Sequence, residues 1–430
     1  MYRILHKLLG GDVLLKITSA NAAGVGVKLV VGLISSKVIA WYLGPQGMAV
    51  LGNLRNFLTG TQQLAILGLG NGLIKFTASL KDQPQALKKI LSTAGISTLI
   101  SSIVLGLVLI LGAEYWNHLL FADLYSFSWV FRVLGLALPL YTLNGMATSV
   151  LSGLMRYRKV IVIQAIIQLL GLVLTVVFIL YYDLAGAALA LLLTPALGLF
   201  VTLLWARTDW MPRLRTFKPV WDSTAARQLG SFTLMAMFSA ICLPWVFIAI
   251  RNHIIRVDDL SGAGYWDAMN RLSDYYMLFV SSLLTLYVLP RLAAASNDAE
   301  FRQVIFGFWK RILPLFGGGL VLVYLLRTWI IGLVFTNAFE AMESLFIWQL
   351  IGDFLRLMAV VIAYELLAKN RLMDFLWTQL LSISIIYASS YLLITHYGFV
   401  GASMGHAFSY LCYLILMLVL FRKRLFTTHD

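Results

Sequence analysis

The chain has 430 residues, of which 60% are hydrophobic and only 12% charged, against about a quarter charged in soluble globular domains, so it reads as an all-α polytopic membrane protein. Its net charge of +14 does not point to nucleic acid, because no basic patch interleaved with aromatic residues is present. Cys242 and Cys412 are the two cysteines, each in an apolar run, and the six histidines are scattered; neither a metal site nor a disulfide scaffold nor a cofactor is implied.

In chain order, apolar segments long enough to cross about 30 Å of hydrocarbon lie near 17–40, 47–75, 90–112, 127–153, 160–181, 184–206, 228–250, 262–290, 304–333, 342–367, 373–394 and 401–421. The N-terminal stretch lacks a short apolar core followed by a small-residue cleavage site, so the first span is expected to direct insertion itself. The connections alternate in charge. One set carries Lys81, Lys88, Lys89, Arg156, Arg158, Lys159, Arg207, Arg213, Arg215, Lys218, Arg227, Arg291, Arg302, Lys369 and Arg371, and the tail adds Arg422, Lys423 and Arg424. The other set carries Arg251 and Arg256 against Glu114, Asp123, Asp183, Asp258, Asp259 and Glu340. The positive-inside rule makes the first set cytoplasmic and puts both termini inside. A missed span would place basic loops on both sides, so the alternation also supports twelve spans.

The longest connection, 207–227, contains Pro212 and Pro219 and divides six spans from six. The expected organisation is an N-terminal bundle at 1–206, a cytoplasmic linker at 207–227 and a C-terminal bundle at 228–430. The segments LGPQGMAVLGNLRNF (43–57) and LSGAGYWDAMNRLSD (260–274) align so that Gly47 meets Gly264 and Asn53 meets Asn270. Each opens the second span of its half, as a parallel internal repeat requires. No loop between spans is long enough for a soluble catalytic domain, and no enzymatic function is expected.

Charges inside spans are the candidate functional groups, because each costs roughly 2.5–3.5 kcal/mol on the insertion scale if it faces lipid. They are Lys28, Arg55, Asp267, Arg271, Asp274, Asp353, Arg356 and Glu365. Asp267, Asn270, Arg271 and Asp274 form one helical stripe at i, i+3, i+4 and i+7. Counting 1.5 Å per residue, Arg55, Arg271, Asp353 and Arg356 fall roughly 12 to 21 Å below the periplasmic face. Two readings stand side by side: a layer of cations lining a polar cavity, or internal staples pairing Asp267 with Arg271 and Asp353 with Arg356. Lys28 and Arg55 have no acid at helical spacing on their own segment, which favours a solvated cavity or an anionic ligand for them.

Gly68-Leu69-Gly70-Asn71-Gly72 follows a span rather than a strand, so a dinucleotide site is not implied. This run and Gly317-Gly318-Gly319 after Pro314 read as sites of close packing or bending. Gln349 and the other uncharged polar residues inside spans read as helix bridges. Asn53, Asn270 and Trp266, beside the charged stripe, are candidate sugar contacts.

Five stretches resemble a known family: 43–57, NGLIKFTASLKDQPQALKKI (71–90), FKPVWDSTAARQLGSFTLMA (217–236), RLSDYYMLFVSSLLTLYVLPRL (271–292) and FIWQLIGDFLRLMAVVIAYELLAKN (346–370). They resemble Wzx flippases, the polysaccharide-transporter branch of the multidrug/oligosaccharidyl-lipid/polysaccharide exporter superfamily, and most of all those handling enterobacterial common antigen. The resemblance implies a MATE-like V-shaped fold of two six-helix bundles in the bacterial inner membrane. It implies translocation of an undecaprenyl-diphosphate-linked oligosaccharide, an O-antigen or enterobacterial common antigen unit, by alternating access coupled to the proton gradient. It casts Lys28, Arg55, Arg271 and Arg356 as substrate cations and Asp267, Asp274 and Asp353 as proton-linked or pairing acids. Membrane lipids, a polysaccharide polymerase and a chain-length regulator are the implied partners. The rival is a drug/cation antiporter of the same superfamily, which would favour an acidic, aromatic cavity. A peptidoglycan-precursor flippase would need two further spans, and a polymerase or ligase a large periplasmic loop.

Overall fold

The computed structural model describes residues 12–121, 125–207, 220–369 and 371–426. Residues 208–219 of the expected linker, and both chain ends, lie outside the described residues. Helix α1, Asp12–Ala65, is two spans in one run, broken at Gly44 with φ 63° and ψ −166°. Glycine adopts that conformation without strain, and Pro45, which has no N–H to leave unsatisfied, starts the second half. A turn with left-handed Leu67 and Gly68 then separates α1 from α2, Gly70–Ser79. The expected span at 47–75 is therefore bent at its glycine-rich run.

Next come α3 (Pro84–Leu111), α4 (Ala113–Phe121), α5 (Ser128–Gly153) and α6 (Tyr157–Trp205). Helix α6 also holds two spans, broken at Asp183 with φ 48°. The second half of the chain comprises α7 (Ser223–Val257), α8 (Leu260–Leu283), a π-helical turn at Leu284–Val288, α9 (Leu289–Ala294), α10 (Asp298–Leu325) and α11 (Arg327–Val334). A 3₁₀ turn at Asn337–Met342 leads into α12 (Glu343–Ala368), α13 (Leu372–Tyr397), α14 (Val400–Leu420) and α15 (Arg422–Phe426).

Eight helical stretches among the described residues are long and apolar enough to cross a membrane. The breaks at Gly44 and Asp183 divide two of them, making ten. Helices α7 and α8, 35 and 24 residues long, bring the number to twelve; in α8 the buried Asp267 and Arg271 depress the hydropathy. The surface is correspondingly inverted relative to a soluble protein, with Leu111 85% and Trp329 82% exposed. This is a multi-pass membrane protein. Helix α10 runs on through Pro314 and Gly317–Gly319, and the break in the expected span at 304–333 falls instead at Leu326.

By internal contacts the chain forms two compact units, residues 1–35 with 54–244 and residues 36–53 with 245–430. In the first, Gly106 of α3 and Gly135 of α5 cross so closely that a Cβ on either would lie 2.5 Å from the other's carbonyl oxygen. Thr202 Oγ1 of α6 donates to Asn144 Oδ1 of α5 at 2.7 Å, and Tyr141 donates to the Leu192 carbonyl. The segment before α7 docks on α3: the Val220 amide donates to Ser92 Oγ at 2.5 Å and Lys89 pairs with Asp222 at 3.1 Å. The Ala225 amide, then Lys89, holds the Asp222 carboxyl below the usual carboxylate range. In the second unit, an apolar core built from α8, α10, α12 and α14 surrounds Val288, Phe301, Ile305, Val361, Ile362 and Met417.

Candidate functional site

Two buried polar networks lie in the second unit, and each is centred on an acid that the sequence marks out. The first is centred on Asp267 of α8, 4% exposed. Its Oδ2 accepts from Arg271 Nε at 3.1 Å, one helical turn away, as the i, i+4 spacing predicts. Its Oδ1 accepts from Arg251 Nη2 at 2.7 Å. Arg251 is the larger surprise. Charge ends the apolar run at 250, so the sequence places Arg251 in a loop, yet α7 continues to Val257 because RNHIIRV contains no helix breaker. Arg251 is 2% exposed. Its Nη1 donates to Asn53 Oδ1 at 2.8 Å and its guanidinium lies 5.3 Å from the Trp266 ring centre. Asn53 in turn donates to Asn252 Oδ1 at 2.9 Å.

Backbone proximity makes this network possible. A Cβ on Gly52 would stand 2.4 Å from Asp267 Oδ1, and one on Gly264 would stand 1.9 Å from the Pro45 carbonyl oxygen. The two aligned stretches, 43–57 and 260–274, thus meet through their small residues.

The second network is centred on Asp353 of α12, which is fully buried. Its Oδ2 accepts from Ser273 Oγ at 2.6 Å and from the Tyr276 hydroxyl, both on α8, and its Oδ1 lies 3.0 Å from His406 Nε2 on α14. Gln349 Nε2 is 3.3 Å from the same His406 nitrogen and 3.5 Å from Asp353 Oδ2, while Ser403 Oγ donates to Gln349 Oε1 at 3.3 Å. An amide N–H and a carboxylate cannot both be satisfied by a single imidazole nitrogen in one protonation state. When His406 Nε2 carries hydrogen it donates to Asp353; when it is bare it accepts from Gln349. The arrangement therefore has two hydrogen-bonded forms that differ by the position of a proton. Arg356, one turn on from Asp353, does not staple it; its guanidinium lies 5.6 Å from the Tyr410 ring centre, and that ring packs edge-on to His406 at 4.8 Å.

The remaining candidates distribute as follows. Asn270 Nδ2 donates to the Trp266 carbonyl of its own helix at 2.9 Å. Asp274 is exposed on α8. Lys28 and Arg55 are half-buried members of the other unit. Glu365, fully buried, accepts from Arg424 Nη1 at 2.7 Å, and Arg424 Nε donates to Asp298 Oδ1 at 2.6 Å. Spacing alone carries part of what was missed: Ser403, His406 and Tyr410 stand at i, i+3 and i+7 and form one polar face of α14.

Comparison with known proteins places this architecture. The chain is 28% identical over 407 residues to the lipid III flippases of Escherichia coli (strain K12) and Shigella flexneri, covering 94% of this chain and 98% of each relative. Among solved structures, an inward-facing multidrug resistance MATE family transporter of the MOP superfamily superposes with a TM-score of 0.78 at 16% identity, covering 92% of this chain and 94% of that one. The lipid II flippase MurJ, in an inward closed conformation, superposes with a TM-score of 0.74 at 14% identity, covering 95% of this chain and 87% of that one. These two share the fold. The family profile described as "Polysaccharide biosynthesis protein" matches residues 38–344, well over half of the sequence, and the chain belongs to that family.

Proposed function

We propose that this chain is a flippase for an undecaprenyl-diphosphate-linked oligosaccharide in the bacterial inner membrane, with both termini cytoplasmic. The observation that carries the reading is the match to lipid III flippases across nearly the whole of both chains. The chemistry agrees with it. A diphosphate needs cations inside the bilayer, and the arginine fork suits phosphate oxygens better than any other side chain. Lys28, Arg55, Arg271 and Arg356 are the groups proposed to draw it in. Asn53, Asn270 and Trp266 are proposed to meet the sugars when the Asp267 network opens, and the polyprenyl chain stays in lipid. A polymerase and a chain-length regulator would take the product.

Coupling to the proton gradient is assigned to Asp353 with His406, because their contacts offer two forms that differ in proton position. Asp267, held by two arginines, is the pairing acid, and Asp274 stands on the same helix face. A proton crossing the full field carries about 2.3 kcal/mol per 100 mV, enough to bias one step of an alternating-access cycle.

The test is expression in an Escherichia coli strain deleted for its lipid III flippase. The native chain should restore surface enterobacterial common antigen, whereas Arg55→Ala and Arg356→Ala, inserted at normal levels, should each reduce it at least tenfold. Asp353→Asn should reduce it too and flatten its dependence on the proton gradient. Unchanged glycan in both arginine variants would refute the cation assignment. Failure of the native chain to restore glycan, with resistance to cationic dyes instead, would favour the drug antiporter.

A further inference from the structure

In the second unit a cleft of about 510 Å³ opens between the outer end of the first span of α1 and the turn that follows α11. That size lies within the range of about 300–1,000 Å³ usual for small-molecule sites. One wall is the Trp41 ring, 69% exposed. Facing it are Thr336 and Asn337, a hydroxyl and an amide. Gly44 and Gly332 complete the walls, and a Cβ on either would meet no atom within 4 Å, so the space beside both is open.

Lys37 decides the character of the ligand. Its ammonium donates to the Gly332 carbonyl at 2.7 Å and to the Phe335 carbonyl, at the C-terminal end of α11. Those carbonyls belong to the negative pole of the helix. Two of three N–H groups are thereby engaged and the positive charge is answered by backbone dipoles. The ammonium also sits 6.0 Å from the centre of the Trp41 ring, at the outer limit of a cation–π contact. A cleft whose cation is already matched gains little from a phosphate or carboxylate. It presents one flat apolar face opposite neutral donors and acceptors. That pairing suits a molecule with a C–H face and a rim of hydroxyls.

We propose that this cleft is a binding subsite for a neutral pyranose ring, stacked on Trp41 with its hydroxyls toward Thr336 and Asn337. The proposal rests on the flippase reading in taking the ring to be one sugar of the lipid-linked oligosaccharide. A tryptophan serving only as an interfacial anchor needs no cleft beside it, and the two roles separate experimentally.

Purified full-length chain in a detergent without a sugar headgroup should transfer saturation to the ring protons of methyl-α-D-glucopyranoside or N-acetylglucosamine in difference NMR. Gly332→Leu fills the cleft at a site with free space on an existing helix, and should lower the transfer at least fivefold while the protein stays monodisperse. Trp41→Ala should do the same, and the remote Lys88→Ala should not. Transfer unchanged by Gly332→Leu, or absent in a native chain that restores surface glycan, would overturn the subsite and leave the flippase reading standing. Failure of the native chain to restore glycan would instead count against the flippase reading, whatever the NMR gives.

Discussion

Replacing Asp267 with Asn should destabilise the chain more than replacing Asp267 and Arg251 together. The carboxylate is 4% exposed and accepts from Arg251 at 2.7 Å and Arg271 at 3.1 Å through different oxygens. Asparagine keeps one acceptor oxygen and turns an NH2 group toward the other arginine, so a donor meets a donor. Each charge-assisted bond is worth about 1.5–3 kcal/mol, and stranding a charge by removing its partner costs about 3–5 kcal/mol. Asp267→Asn should therefore lose about 3–5 kcal/mol, and Arg251→Met alone should also lose stability. Asp267→Asn combined with Arg251→Met removes the donor that the new NH2 group would meet and leaves the asparagine oxygen to Arg271, and should recover roughly half of the summed single losses. Unfolding by SDS titration, followed by tryptophan fluorescence with the four variants side by side, measures the cycle. Single losses that simply add, with a coupling below about 0.5 kcal/mol, would show that Asp267 and Arg251 do not depend on each other, and the reasoning would fail.

Three further outcomes follow from the packing and the charges. Gly264→Ala sets a Cβ 1.9 Å from the Pro45 carbonyl oxygen and should cost about 1–3 kcal/mol, read as a lower thermal midpoint, whereas Gly230→Ala, with nothing within 4 Å, should not lower it. Arg424→Ala strands Glu365, which is fully buried and whose Oε2 already has no hydrogen-bond partner; a loss of about 3 kcal/mol in the same SDS titration, with a smaller loss in Glu365→Gln, is expected. With Cys242 and Cys412 changed to Ser, an impermeant maleimide should label Glu340→Cys in intact spheroplasts and Lys81→Cys only after lysis, as the charge alternation requires.

The twelve spans were legible because two independent signals agree, apolar length and the side on which lysine and arginine fall. Turn geometry was less legible. The expected loops at 41–46 and 182–183 shrink to Gly44 and Asp183, since one residue with positive φ reverses the chain without a loop. The expected loop at 113–126 contains α4, whose Asn117, Leu120 and Phe121 are buried though nine residues are too few to cross the bilayer. The i, i+4 pair of Asp267 and Arg271 was visible in the stripe. Arg251 was hidden because a charge at the end of an apolar run looks like the start of a loop. His406 was hidden because its partner lies 53 residues away in sequence, and no spacing rule reaches that far.

Local periodicity thus exposes only half of each network, and the hidden half comes from a different helix. Asp267 is served by a donor on its own helix, Arg271, and by one from α7, Arg251. Asp353 is served by Ser273 and Tyr276 from α8 and by His406 from α14. An acid held by a single distant cation would be left bare whenever its helix shifted, at about 3–5 kcal/mol. An acid with rival donors on two elements can give up one and keep the other. Arg251→Lys should be a harsh change, since Arg251 reaches Asn53 and Asp267 through separate guanidinium nitrogens and one ammonium cannot reproduce that fork.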